Sequence, residues 1–338
     1  SNEAVGIVSS LDIVLHSRRA PTALPAAPPA PPAGPTVGDV LKKHPHLAAV
    51  CPRGTSLADV AKSFRKTGKT STLVPLEGAA DGTPLGLFTE NDLMRAHIGG
   101  WPGEAPIEGW LKSAESEHTA LAPHLLVPVS MPLVKAAELM LTAASPQRTC
   151  HHLVTTSNSG DWVGVFSALD IARALQGLCT SLDTAKAGAD RTLVATTMKK
   201  ADNVPTVQPS NTLQDALTKL SVFEQNAALV VNAAGQHLGL VTTRCAIESC
   251  AEGTPLSRTV MDWLRSRPTS EGPREVRPDA RLLEAAAIMS KYTLHHLVVM
   301  DSSRETVGVL SSLDLARGVA SVETECPFVS LGWLKRRK

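Results

Sequence analysis

Short apolar runs alternate with amphipathic stretches along most of the chain, and the alternation recurs several times. Leu213, Ala216, Leu217 and Leu220 have helical spacing and predict a helix with one buried face. The stretch 57–64 repeats that spacing. A run of β-type residues follows each such stretch, and these runs are STLVPL (71–76), HHLVTT (151–156), AALVVN (227–232) and HHLVVM (295–300).

A second apolar run closes each repeat and carries the phrase G-h-h-[ST]-x-x-D, in which h is apolar. The copies are GLFTEND from Gly86, GVFSALD from Gly164, GVLSSLD from Gly308 and, at the start of the chain, GIVSSLD from Gly6. A degenerate copy from Gly239 has Cys245 where the aspartate is expected. Because an amphipathic stretch follows each phrase, the pattern predicts a mixed α/β (α+β) unit of order β-α-β-β-α.

Two further landmarks precede the helix of each unit. Each unit opens with an apolar-basic arm, and these arms are 37–43, 107–113, 194–200 and 260–266. An apolar-x-Pro segment then ends at Pro52, Pro209 and Pro278, and LLVP ends at Pro128. Helix N-caps are expected at Ser130, at Asn211 or Thr212, and at Asp279.

These landmarks divide the chain into four complete units and part of a fifth. A lone unit of this size exposes one sheet face, so we expect the units to pair. The Pro/Ala-rich stretch predicts an extended linker, and the opening residues predict the second half of an upstream unit, as in a piece of a longer product. The predicted boundaries are 1–20 (half unit), 21–35 (linker), 36–100, 106–180, 191–253 and 254–323 (units one to four) and 324–338 (tail).

Composition narrows the functional classes. The chain has 43% hydrophobic residues and a net charge of +1, which indicates a sizeable core and no electrostatic footprint for nucleic acid. No apolar run reaches the roughly 18 residues of a membrane span. The six cysteines form no C-x-x-C pair, so we expect a reducing, cytoplasmic location, with the nucleus also allowed.

The ordered landmarks resemble those of cystathionine-β-synthase-type (CBS) domains. The features that carry the resemblance are the G-h-h-[ST]-x-x-D phrase, the V-x-P opening and the HHLVV strand, and they cover residues 36–322. The resemblance implies four CBS domains in two Bateman modules with an adenine nucleotide (AMP, ADP or ATP) between paired units. Four units together are similar to the γ regulatory subunits of AMP-activated protein kinase, which implies energy sensing and a protein kinase partner.

The resemblance also implies roles for individual residues. Carboxylates that hold ribose are Asp92, Asp170 and Asp314, hydroxyls on the phosphate side are Thr89, Ser167, Ser311 and Thr242, and imidazoles that contact phosphate are His151 and His295. A hydroxyl at a helix start can donate to phosphate beside unpaired amides. A thiol is a poor ribose acceptor, so the third site is expected to be weak or empty.

The histidine pair carries further expectations. Imidazole charge varies near neutral pH. Ser71 and Ala227 are taken as the positions equivalent to His151 and His295. Strand alternation is expected to turn the neighbouring His152 and His296 to the opposite sheet face. The same alternation argues against a metal site at Cys150-His151-His152.

Other interpretations stay open. S-x-x-D at a helix start also forms a structural capping box. The chain could be a nucleotide-free scaffold or dimerisation module that associates through its CBS units, or the regulatory region of a larger enzyme or channel. Because no G-x-S-x-G, P-loop or H-E-x-x-H motif is present, we expect no enzyme activity, no catalytic residues, no metal and no covalent cofactor in this stretch.

Overall fold

The structure is a computed structural model. It describes residues 35–43, 50–74, 86–113, 126–142, 150–179, 192–267 and 274–325. The predicted half unit, the linker up to residue 34 and the tail from residue 326 lie outside the described residues. All described residues belong to one compact unit, residues 33–338.

The first two predicted units begin with a short arm helix. The second then follows the predicted order, whereas the first strand expected in the first unit is reduced to an isolated bridge between Val50 and Leu73. The first contains α1 (Val37–Lys43), α2 (Leu57–Thr67), β1 (Ser71–Val74), β2 (Gly86–Thr89) and α3 (Glu90–Ile98). The second contains α4 (Ile107–Lys112), β3 (Leu126–Pro128), α5 (Leu133–Thr142), β4 (His152–Thr156), β5 (Trp162–Ser167) and α6 (Ala168–Cys179).

The third and fourth units repeat this order. The third contains α7 (Val194–Thr197), β6 (Lys199–Lys200), a 3-10 turn (Ala201–Asn203), β7 (Thr206–Val207), α8 (Leu213–Val222), β8 (Ala227–Val231), β9 (His237–Thr242) and α9 (Thr243–Glu252). The fourth contains α10 (Val260–Arg265), β10 (Glu275–Val276), α11 (Leu282–Tyr292), β11 (His296–Met300), β12 (Thr306–Ser311) and α12 (Ser312–Glu325). The helices α3, α6, α9 and α12, which end the units, are called closing helices below.

Each unit builds a small sheet with the same register. The two central strands are antiparallel, and in units two to four a short first strand pairs parallel with the middle one. The Ser or Thr of the shared phrase lies opposite the first residue of the preceding strand, as in the pairs Ser71–Thr89, His152–Ser167, Ala227–Thr242 and His296–Ser311. Each sheet therefore places its strand-to-helix junction at the equivalent position of its own edge.

The arms are exchanged between neighbouring units, and this exchange defines the pairs. The first residue of each arm helix donates its amide to a carbonyl two residues before the first helix of the partner unit. These bonds are Val37–Met131 (2.9 Å), Ile107–Thr55 (3.0 Å), Val194–Ala280 (2.9 Å) and Val260–Asn211 (2.8 Å). Units one and two form one module, and units three and four form the other.

The partner's arm also caps the first helix of each unit. The first helical amide donates to a carbonyl of that arm segment, as in Leu133–Pro35 (3.0 Å) and Leu282–Thr192 (3.0 Å). Two predicted N-caps are therefore wrong: α5 begins three residues after Ser130, and the N-cap position of α11 is Arg281. Asp279 pairs with Arg277 instead. Thr212 caps α8 as expected.

Sheets pack within a module and helices pack between modules. The sheet faces bury Leu73, Leu87, Val154 and Val165 in the first module and Val204, Ala227, Leu229 and Val309 in the second. The helices of units one and three share one core, and those of units two and four share two others. Each unit therefore packs its sheet against its module partner and its helices against one unit of the other module, and the apolar stripe of α8 is buried as predicted.

The two modules also touch where helix ends meet. Gly68 ends α2 in the left-handed region (φ 68°), and a Cβ there would overlap Cγ2 of Thr293, which ends α11 with φ 53°. The space between unit one and unit four therefore excludes a side chain at position 68.

This contact predicts an unequal cost for two glycine substitutions. Gly54 has φ 76°, and a Cβ added there would have no heavy atom within 4 Å, so Gly54→Ala tests backbone strain alone. We expect a loss of about 1–2 kcal/mol for Gly54→Ala and about 1–2 kcal/mol more for Gly68→Ala from overpacking. Denaturant titration measures both, and equal losses would contradict the proposed packing of Gly68 against Thr293.

Candidate functional site

The four strand-to-helix junctions share one hydrogen bond that fixes which residues are equivalent. The first amide of each closing helix donates to the carbonyl of the residue before the first central strand. The bonds are Glu90–Thr70 (2.7 Å), Ala168–His151 (3.0 Å), Thr243–Asn226 (3.2 Å) and Ser312–His295 (2.9 Å). Thr70 and Asn226 are thus the equivalents of the two histidines, and the predicted equivalents Ser71 and Ala227 are wrong by one residue.

Side chains from all four junctions come together. Thr70 Oγ1 and His152 Nε2 share a hydrogen bond of 2.9 Å, and Asn226 Nδ2 and His151 Nε2 share one of 3.1 Å. His296 lies near enough to His151 for their charges to interact. We call this set the central polar cluster; its members are Thr70, His151, His152, Asn226, His295 and His296.

The predicted orientation of His152 and His296 is therefore wrong. Both contribute to the central polar cluster and do not face away from it. The alternation rule failed because His151 precedes the first residue of β4, which is His152. Because His151 lies outside the strand, its side chain does not have to alternate with that of His152. The same holds for His295, which lies before β11.

The imidazoles of the cluster are neutral near pH 7. Burial lowers the pKa of His151 to about 4, and the Asp314 carboxylate opposes that shift. Burial lowers the pKa of His152 and of His296 to about 3, with a further contribution from His151. The expected titration near neutrality is therefore wrong for these residues, because leaving water disfavours the charged imidazole.

His295 occupies the most cationic part of the cluster. Burial, followed by the charges of His296, His152, Arg173 and Arg244, holds its pKa well below the usual value. Its Nε2 atom is buried and has no hydrogen-bond partner among the described residues. A buried polar atom without a partner is costly in a folded protein, and a neutral imidazole with its hydrogen on Nε2 can donate to an oxygen of a ligand.

The three shared phrases with Ser/Thr-x-x-Asp that lie within the described residues form structural caps. In each, one Oδ2 atom of the aspartate accepts from both the amide and the hydroxyl of the Ser or Thr. The amide and hydroxyl distances are 2.8 and 2.6 Å for Thr89–Asp92, 2.8 and 2.8 Å for Ser167–Asp170, and 2.8 and 2.7 Å for Ser311–Asp314. The capping alternative is thus observed, and the nucleotide roles of these residues remain predictions.

An arginine one turn further on engages two of these aspartates. Arg173 Nη1 donates to Asp170 Oδ1 at 2.5 Å, and both side chains are buried, at 10% and 0% exposure. Arg317 bonds Asp314 in the same way, but its side chain is 50% exposed. Sequence reasoning missed both arginines, although an arginine follows the aspartate by three residues in three of the five copies of the phrase.

Asp314 has neighbours from three units. Its charge acts on His151 of unit two and on Lys199 of unit three. Burial lowers the pKa of Lys199, and its Nζ donates to Gln225 Oε1 at 2.5 Å. The apolar wall formed by Val204, Ala227, Leu229 and Val309 lies in the same module. A carboxylate, an ammonium and an imidazole from three units therefore interact where the two modules meet.

The third unit differs. Thr242 makes no side-chain cap bond to α9. The Cys245 thiol is buried, which raises its pKa. The residue three further on is Glu248, not arginine, and it bonds Arg244 (2.8 Å) and Arg267 (3.4 Å). Because Arg267 also lies 3.6 Å above the Trp263 ring, this end of α9 is held by an ion network without a free carboxylate.

The described part of the chain supports neither a metal site nor a membrane-spanning helix. Among its residues, no group of three or more His, Cys, Asp or Glu side chains could hold a metal ion. None of its helices is both long enough and apolar enough to cross a bilayer.

Sequence comparison identifies the family. The CBS domain family matches residues 37–99, 194–252 and 270–321, together about half of the chain. The chain therefore belongs to the CBS domain family, and its paired units are Bateman modules. The matched ranges fall in the first, third and fourth predicted units. The second has the same elements in the structure, and its boundaries remain a prediction.

Known proteins resemble the chain in fold more than in sequence. A protein of Methanocaldococcus jannaschii, proposed as an archaeal homologue of γ-AMPK, is 13% identical and covers 80% of this chain and 95% of its own (TM-score 0.59). At this identity the likeness is one of fold alone. An uncharacterized protein of Helicobacter pylori is 28% identical over 108 residues. That match spans about a third of each of the two proteins.

The lowered histidine pKa values predict acid sensitivity. The unfolded chain takes up protons near pH 6.5, but folded His151, His152 and His296 do so only near pH 3–4. Their contribution to stability is complete above about pH 6.5 and is lost as pH falls toward the folded values.

We therefore expect the free energy of unfolding to fall by roughly 1 kcal/mol or more per pH unit between pH 6 and 4. His296→Asn should flatten this slope in denaturant titrations. His237→Asn, at the start of β9 and outside the cluster, should leave it unchanged. Equal slopes in all three proteins would contradict the assignment.

Proposed function

We propose that this chain is a regulatory protein that senses adenine nucleotides between its paired CBS units. The observation that carries the proposal is the neighbourhood of Asp314 in unit four, whose charge acts on His151 of unit two and on Lys199 of unit three. An apolar wall suited to a purine lies in the same module. Nucleotide sites combine apolar walls with a few convergent polar groups in this way.

Each part of a nucleotide has a matching group in this arrangement. The base would insert at the edge of the cluster of Val204 and Val309, since aliphatic side chains can sandwich a planar ring. These residues are 6% and 4% exposed, so the cluster must open to receive the base. The ribose hydroxyls would donate to Asp314, as in other nucleotide sites with an acidic residue. The phosphate would accept from His295, whose Nε2 has no partner among the described residues, and from the Ser311 hydroxyl once that hydroxyl turns from the Asp314 cap.

The arginine partners of the aspartates rank the proposed sites. A ribose that binds Asp314 must compete with Arg317, which is half-exposed, and exposed ion pairs contribute only about 0–1 kcal/mol. A ribose at Asp170 must displace Arg173 from a buried pair, and removing one partner of a buried pair costs about 3–5 kcal/mol. We therefore place the strongest binding at Asp314 and none at Cys245 in the third unit.

Ligand binding would regulate through the contacts between modules. A ligand shifts an equilibrium only when it binds two states unequally. A nucleotide at Asp314 would touch groups of both modules, because His151 belongs to the first and Lys199 to the second. Its binding would thus favour one relative placement of the modules, which a protein partner can recognise. The resemblance to γ subunits makes a protein kinase complex the partner that we propose.

A second function has its own support. The capping boxes occupy one oxygen of each aspartate, and Arg173 occupies the other oxygen of Asp170. A chain whose carboxylates serve only as caps would be a nucleotide-free scaffold built from CBS modules.

The two functions differ in their response to Asp314→Asn. This change keeps an acceptor for the Ser311 cap but removes the charge that would hold ribose. We expect at least a roughly tenfold loss of AMP affinity in isothermal titration calorimetry. Cys245→Ser, at the equivalent position of the third unit, should leave AMP affinity unchanged. A wild-type protein with neither binding heat nor a thermal shift at millimolar AMP and ATP would support the scaffold and overturn the sensor.

A further inference from the structure

Among the described residues, Glu90 is the one charged residue at the first position of a closing helix. The equivalent residues are Ala168, Thr243 and Ser312. Like Glu90, each donates its backbone amide to the carbonyl of the residue before the first central strand of its unit. Each follows directly on the Ser or Thr of the shared phrase. Position 90 therefore lies on the side where we propose that phosphate binds, and in the first unit alone it adds a carboxylate there.

The Glu90 carboxylate is enclosed by the other module. Glu90 is 5% exposed. The Thr243 side chain hydrogen-bonds its carboxylate, and the charge of Arg244 acts on it. Arg244 also acts on His295 and donates to the Thr293 carbonyl at 3.2 Å. Glu90 is thus connected through one arginine to the cationic part of the central polar cluster.

Other charged groups on the elements around Glu90 are held elsewhere. On α9, Glu248 bonds Arg244 and Arg267, and Glu252 bonds Arg267. On α8, Asp215 bonds Thr212 and Lys219 donates to the Thr206 carbonyl. On α3 itself, His97 shares a hydrogen bond with Ser249, and Asp92 belongs to the Thr89 cap. Among the charges on these described elements, which also include Arg95 near the end of α3, Arg244 is the one that acts on Glu90.

We propose that Glu90 limits how much negative charge a nucleotide can place at the central polar cluster, so that it favours a monophosphate over a triphosphate. This inference rests on the proposed nucleotide function. An ionised Glu90 offsets the positive charge of Arg244 and repels additional phosphate groups. A protonated Glu90 does neither, so that Glu248, which remains paired with Arg244, is the carboxylate left near the longer phosphate chain.

The discrimination should depend on pH because the charge of Glu90 does. Burial raises the pKa of this carboxyl to about 7, against the smaller opposing effects of Thr243 and Arg244. The carboxyl is then mostly ionised at pH 8 and mostly protonated at pH 6. A bound triphosphate disfavours the ionised form further, so binding of ATP would be linked to proton uptake at Glu90.

The test compares wild-type protein with Glu90→Gln, which keeps the shape and removes the charge. Dissociation constants for AMP and for ATP are measured by calorimetry at pH 8 and pH 6, with EDTA to remove divalent ions. At pH 8 the variant should bind ATP, relative to AMP, roughly three- to tenfold better than wild type does. At pH 6 the two proteins should show the same ratio.

Two further variants separate charge from packing. Glu138→Gln makes the same charge change on α5, where Glu138 bonds Lys135, and it should behave as wild type. Glu90→Met serves as a second uncharged variant if the glutamine variant does not fold, and it should show the same gain for ATP at pH 8.

The outcomes distinguish this inference from the proposed function. Wild-type protein that binds neither nucleotide overturns both. Wild-type protein that binds both, with an ATP to AMP ratio that Glu90→Gln leaves unchanged at pH 8, overturns the role of Glu90 and leaves the nucleotide function standing. A gain for ATP that is equal at pH 8 and pH 6 would also overturn it, because it would come from shape and not from charge.

Discussion

The structure depends on a reciprocal backbone exchange between paired units. Each arm donates an amide to the loop before its partner's first helix, and each first helix donates its leading amide to the partner's arm. The first amides of a helix have no acceptor within the helix, so a unit without its partner would leave them to water. This exchange fixes which units pair, brings their sheets face to face, and sets the edges at which the strand-to-helix junctions meet.

The junctions create an electrostatic environment that is unusual for a protein interior. Buried polar side chains need hydrogen-bond partners, and here they find them mostly in one another, across unit boundaries. The imidazoles remain uncharged because burial and their mutual repulsion both disfavour protonation. Arginines keep their charge when they are buried. Asp170 is held in a buried ion pair with Arg173, whereas the Arg317 partner of Asp314 is half-exposed. A polyanion would alter that balance more than any neutral ligand.

The repeats, the element order and the buried helix stripes were predictable because they follow from residue periodicity, which is a local property. The arm capping at Asp279 and Ser130 was not predictable, because the acceptor comes from another unit. The register of the histidines failed by one residue for a related reason. HHLVV reads as one strand, whereas the bond from the closing helix to the His295 carbonyl ends the strand at His296. The Asp170–Arg173 pair could have been anticipated from its helical spacing, but its burial could not, since neighbouring units provide it.

The contact between Glu90 and Thr243 is one that two identical chains could not form in the same way. These residues occupy equivalent positions in the two modules, and the Thr243 side chain hydrogen-bonds the Glu90 carboxylate. Two identical chains meeting in this way would place a residue against its own copy. Paired glutamates would then bury two like charges that must share a proton, and paired threonines would carry no acid at all. Joining both modules in one polypeptide removes that restriction, so that a single, unmatched acid can stand at the centre of an otherwise repeated assembly.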